Sequence, residues 1–81
     1  MNTELNIRVF AVLKDYLEEE FTIEVSDNTV EGLKNQLILK NPEIQNILHS
    51  CRFAVNNVFI SDSSSFKQND TIYIIPPSSG G

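Results

Sequence analysis

The 81-residue sequence predicts an α+β domain, a mixed sheet of about five strands with one main helix packed on one face. Three observations carry that prediction. Apolar residues alternate with polar ones at Leu5, Ile7 and Val9, and again at Phe21, Ile23 and Val25, the period of half-buried strands. Val30, Leu33 and Leu37 instead share one helical face, directly after the capping oxygens of Asp27, Asn28 and Thr29. The segment Thr71, Ile72, Tyr73, Ile74, Ile75 is apolar on both sides, so it has more to bury than a helix on one face can cover.

The first two strands are joined by residues 11–20, too long a connection for a tight hairpin, in which Val12, Leu13, Tyr16 and Leu17 point to a helical turn or a packed loop. The helix runs from about 30 to 40. Gly32 inside it is unfavourable relative to Ala by up to ~1 kcal/mol and marks a close approach, expected against the sheet. Lys40 suits the negative end of the helix dipole, and Asn41-Pro42 restarts the chain as a cap and a first helical residue. A short second helix over 43–49 turns Ile44, Ile47 and Leu48 to the core. Residues 53–56 and 58–60 read as short strands around Asn56-Asn57, a residue pair that tolerates the positive φ of a tight turn. Ser61 to Ser65 form a polar loop, Phe66 is an isolated apolar anchor, and Gln68-Asn69-Asp70 is a further turn. The last strand, 71–75, ends at Pro76-Pro77, neither of which can donate to a ladder.

This order of elements is the β-grasp, or ubiquitin-like, arrangement, in which the final strand is central and its end releases a C-terminal tail. Residues 1–77 are expected to form the domain and 78–81 a flexible tail ending in Gly80-Gly81. A chain of this size has no room for a deep internal active site. Eleven acidic against six basic residues give a net charge of −5, which argues against nucleic acid as a partner and for a basic protein surface. The cluster Glu18-Glu19-Glu20 with Asp15 either steers such a partner or is a solvated loop. No apolar run approaches the ~20 residues that span a bilayer, so no membrane partner is expected. With a single cysteine and no basic-plus-apolar leader, the expected compartment is the cytoplasm.

Catalytic groups are sparse. One His and one Cys cannot supply the three or four ligands of a zinc site, so no metal is expected. His49 lacks the surroundings of a catalytic triad, and Cys51 reads as a small buried hydrophobe with only Arg52 and His49 nearby to lower its pKa. The tail has clearer physical logic. Beyond Pro77, residues 78–81 reach about 13 Å when extended at ~3.3 Å each. Glycine's missing Cβ lets that backbone pass through a narrow channel in another protein, and the two prolines stiffen its launch point. Ordering the tail costs about 1 to 2 kcal/mol per residue, so a broad docking face should accompany it. Strand parity places it: Ile72 and Ile74 face the helix, while Tyr73 and Ile75 face away, with Phe10 extending their surface.

The opening Ile7-Arg8-Val9-Phe10-Ala11-Val12-Leu13-Lys14, the helix start Asn28-Thr29-Val30-Glu31-Gly32-Leu33, the stretch Phe53-Ala54-Val55-Asn56-Asn57 and the ending Lys67-Gln68-Asn69-Asp70-Thr71-Ile72-Tyr73-Ile74-Ile75-Pro76-Pro77-Ser78-Ser79-Gly80-Gly81 together resemble the small, sulfur-carrier subunits of molybdopterin synthase. The resemblance implies that Gly81 is adenylated by a ubiquitin-activating-enzyme-like adenylyltransferase that uses ATP, and is then converted to a thiocarboxylate. It implies transfer of that sulfur to cyclic pyranopterin monophosphate in the large subunit, with Pro76, Pro77, Ser78, Ser79 and Gly80 as the channel-entering tail. The chain itself would bind no cofactor and would be a non-catalytic part of a two-subunit sulfurtransferase. Ser78 departs from the apolar residue usual there, and Asn69 from a turn glycine. A sulfur carrier of thiamine biosynthesis, and a ubiquitin-like modifier or interaction domain, are the alternative readings.

Overall fold

The computed structural model describes residues 2–77. Its strands are β1 (Thr3–Val9), β2 (Glu20–Val25), β3 (Arg52–Val55), β4 (Val58–Ile60) and β5 (Thr71–Ile75), with helices α1 (Val30–Lys40) and α2 (Gln45–His49) between β2 and β3. They form one mixed five-stranded sheet in the order β2-β1-β5-β3-β4. The final strand is therefore central, parallel to β1 and antiparallel to β3. That is the predicted arrangement.

Alternation puts one side chain of each pair into the core. Leu5, Ile7, Val9, Ile23, Val25, Phe53, Ile72 and Ile74 are buried on the helix side, where Val30, Leu33, Leu37, Ile44 and Leu48 meet them. Replacing a core Leu such as Leu33 by Ala would remove about 2 to 5 kcal/mol. The turn before β5 fixes its register: Asn69 donates its backbone N–H to Glu4 O at 2.7 Å, and Asn6 N–H donates to Asp70 O at 2.8 Å. Asn69 has φ 68°, the left-handed conformation that Asn tolerates in place of glycine. Asn56 (φ 54°) and Asn57 (φ 66°) both take positive φ and close the β3–β4 hairpin in two residues, as their sequence predicts.

Four local features refine these expectations. In the β1–β2 connection the expected helical turn is present as a 3₁₀ turn, Ala11–Asp15, which buries Leu13 and leaves Val12 and Tyr16 exposed, because a single short turn presents only one inward position. Asn41 precedes a 3₁₀ turn, Pro42–Ile44, without a side-chain cap bond; its Nδ2 donates to Tyr16 O at 3.1 Å, tying the turn to the β1–β2 connection. The serine-rich segment is a polar, mostly exposed loop, as expected, and it also caps the helix. Its carbonyls at Ser64 and Asp62 accept from Val30 N–H and Glu31 N–H, satisfying the first donors of α1, and Phe66 N–H closes back on Asn28 O at 2.7 Å.

The fourth concerns Gly32. Thr29 caps α1 by accepting from Gly32 N–H at 3.1 Å, and Asp27 Oδ1 accepts from Thr29 Oγ1 at 2.8 Å, which folds Asp27 over the first helical turn. A Cβ on Gly32 would lie 2.6 Å from both Cβ and Cγ of Asp27, so the close approach is to the capping loop, not the sheet. Helix propensity alone would make Gly32→Ala stabilising by about 1 kcal/mol. The overlap reverses the sign: urea denaturation should show Gly32→Ala less stable than the parent by about 1 to 3 kcal/mol. A gain in stability would mean that Asp27 moves aside freely.

Candidate functional site

The outer face of the sheet, away from α1, carries the side chains that the core cannot take. Tyr73 and Ile75 emerge there from β5 and are half-buried, while their neighbours Ile72 and Ile74 are fully enclosed. Phe10 joins them as the parity argument predicts, edge-to-face with Tyr73 at 5.9 Å between centroids and 87° between planes. Its position follows from the backbone. Phe10 continues β1 in extended conformation, and Ala11 then takes φ 55°, turning the chain away immediately after the ring is placed.

The same face extends beyond Phe10, Tyr73 and Ile75. Register aligns Arg8, Tyr73, Ala54 and Phe59 across β1, β5, β3 and β4, and aligns Ile75 with Arg52. Phe59 is 57% exposed and stacks under the Arg52 guanidinium, whose carbon lies 5.0 Å from the ring centroid. Apolar surface thus crosses the sheet from Phe10 to Phe59. A signal for Phe59 exists, because the two-residue Asn56-Asn57 turn pairs Phe59 with Ala54 and so assigns it to the Tyr73 face.

At the end of β5 the two prolines separate. Pro76 is buried and Pro77 exposed, so Pro76 is held by the domain. Burial follows from parity, since Pro76 continues the inward set of Ile72 and Ile74. Ser78, Ser79, Gly80 and Gly81 lie outside the described residues.

Residues 7–81 match the model of the ThiS family. The chain belongs to the ThiS family. It is 35% identical over 65 residues to the molybdopterin synthase sulfur carrier subunit of Chlamydomonas reinhardtii, covering 76% of this chain and 78% of that one. Its structure matches a protein–protein complex of subunits 1 and 2 of the molybdopterin-converting factor from Helicobacter pylori, with TM-score 0.69, 26% identity, and 98% and 100% of the two chains covered. Small archaeal modifier protein 1 from Methanosarcina acetivorans superposes with TM-score 0.83 over 100% of this chain and 99% of that one, at 21% identity, a likeness of fold.

Within this ThiS-family domain the remaining reactive side chains are held quiet. Cys51 is buried and its Sγ donates to Ile47 O at 3.2 Å, as a helix-adjacent hydrophobe would. Burial raises its pKa to about 11, against a smaller lowering by the Lys34 ammonium, so the cation that matters is Lys34 and not the expected Arg52 or His49. Lys34 itself is only 8% exposed; it pairs with Asp62 at 2.9 Å and lies 5.4 Å from the Phe53 ring centroid, tying α1 to the serine loop. His49 is exposed at the end of α2. Among the described residues no three His, Cys, Asp or Glu side chains are grouped to hold a metal ion, and no helix is long and apolar enough to cross a membrane.

A thiol with a pKa of about 11 is thiolate in only about one part in a thousand at pH 8. Alkylation of the folded protein by iodoacetamide at pH 8 should therefore be at least 100-fold slower than that of the urea-unfolded chain, and should accelerate about tenfold per pH unit through pH 10 while the fold persists. Equal rates in the folded and unfolded chains would show that Cys51 is open to solvent.

Proposed function

We propose that this chain is the sulfur carrier subunit of a molybdopterin synthase. The observation that carries the reading is its 35% identity to the Chlamydomonas sulfur carrier subunit; the family match running through residue 81 supports extending it to the tail.

In this reading the Gly81 carboxylate attacks the α-phosphorus of ATP in an adenylyltransferase, releasing pyrophosphate and giving a glycyl adenylate. A sulfur nucleophile then displaces AMP, leaving a terminal thiocarboxylate, 1-thioglycine. The domain's own residues bind and position. Pro76 anchors the tail's root, Pro77 restricts its direction, and the small residues Ser78, Ser79 and Gly80 let it thread a partner's channel. Phe10, Tyr73 and Ile75 dock the domain on the large subunit, so that the sulfur reaches cyclic pyranopterin monophosphate in a site closed to water. The Helicobacter pylori complex, as a pair of such subunits, supports the partner assignment. The cytoplasm is the proposed compartment. The archaeal modifier likeness is one of fold, at 21% identity, and does not favour protein tagging.

The test is intact-mass analysis after incubation with the adenylyltransferase, ATP and a sulfur donor. The wild-type chain should gain the mass of one oxygen replaced by sulfur and then support molybdopterin formation with the large subunit. A Gly81-deleted chain should melt at the same temperature, because the deletion leaves β5 and the core intact, and form no product. Product from the deleted chain would overturn the assignment.

A further inference from the structure

We infer that the docking face recognises a partner surface bearing a carboxylate, which the Arg52 guanidinium engages from within the apolar row; this rests on the sulfur-carrier reading and adds the chemistry of the partner surface. The starting observation is the placement of positive charge. The chain has two arginines, Arg8 and Arg52, and both lie on the outer face, in register with Tyr73 and Ile75 respectively. They differ in what surrounds them. Glu19 and Glu20 carboxylates stand 3.8 and 3.6 Å from Arg8 Nη2, so its charge is already answered within the domain. Arg52 forms no ion pair among the described residues; its neighbours are the Phe59 ring at 5.0 Å and Ile75 across the strand pair.

The whole face is graded in charge. Its β2–β1 side presents Glu4 opposite Glu24 and Glu20 opposite Arg8, while the β3–β4 side presents Arg52 beside exposed Phe59. An acidic chain of net charge −5 thus holds an arginine with no ion pair among the described residues on the half of the docking face where aromatic surface is most exposed. Stacking on Phe59 holds the planar guanidinium in place and leaves its N–H fork to form paired hydrogen bonds with a carboxylate. Docking that buries Phe59 and Ile75 also removes water from Arg52, and a desolvated guanidinium without a partner is strongly unfavourable. The surface that covers this half must therefore carry an acidic side chain opposite Arg52. Its position also sets the orientation of docking, because the same carboxylate would meet repulsion at Glu4, Glu20 or Glu24 on the other half.

Calorimetric titration of the molybdopterin synthase large subunit with wild type, Arg52→Gln, Arg52→Lys and Ile75→Asp, at 50 and 500 mM NaCl, tests this. Arg52→Gln should bind about tenfold or more weakly at low salt, with the deficit shrinking at high salt, and Arg52→Lys should recover part of the loss by restoring charge without the fork. Thermal melts of the variants, expected to match wild type because Arg52 is exposed, separate binding from folding. Wild-type affinity for Arg52→Gln, or a loss that salt does not change, would overturn the carboxylate and reduce Arg52 to a stacking role. If Ile75→Asp, confirmed folded by its melt, also binds as wild type, the docking face itself is misplaced; if it loses affinity while Arg52→Gln does not, only the present inference fails.

Discussion

Strand β5 lies between β1 and β3 and bonds to both, and that position organises the domain. A parallel partner cannot be reached through a tight turn, so the β1–β5 pairing must be specified from outside the strands themselves. The turn before β5 supplies it. Glu4 N–H donates to the Gln68 side chain at 3.0 Å and Asn6 Nδ2 to Asn69 O at 3.1 Å, alongside the backbone bonds of Asn69 and Asp70 to β1. Lys67 N–H is held in turn by Asp70 Oδ2 at 2.8 Å. Slipping this register by one residue would send Ile72 and Ile74 out and Tyr73 and Ile75 in, exchanging core and outer face at a stroke.

From that position the division of labour follows. A central strand shows a side chain alternately to each face, and this domain has one helical layer to cover one of them. The inner set closes the core with α1. The outer set, with Phe10 and Phe59 at its margins, stays half-buried or exposed beside the point where Pro77 leads into residues 78–81. Surface of this kind, continuous across four strands, is what a partner interface presents. On the proposed reading, one strand thus serves both the docking of the domain and the delivery of its C-terminus.

The strands, α1 and the Asn56-Asn57 hairpin were legible in the sequence because period, capping and turn chemistry are written in side chains, as at Leu5, Thr29 and Asn57. The parity of Tyr73, Ile75 and Phe10 was legible for the same reason. What escaped depends on backbone or distant partners. Ser64 and Asp62 cap α1 through main-chain carbonyls, which no residue type announces. Lys34 sits among apolar helix residues, and only the folded chain brings it to Asp62 and Phe53. Gly32 announced a close approach without naming Asp27 as the neighbour. Arg52 and Phe59 become one feature only once the sheet pairs β3 with β4.

The central claim is that the outer face of the sheet is the surface by which this carrier docks. Side-chain NMR of the labelled domain titrated with the molybdopterin synthase large subunit tests it most directly. The Ile75 methyls and the rings of Phe10, Tyr73 and Phe59 should shift or broaden, while Leu39, 76% exposed on α1, stays unchanged. Perturbation centred on Leu39 with silence at Ile75 and Tyr73 would contradict it.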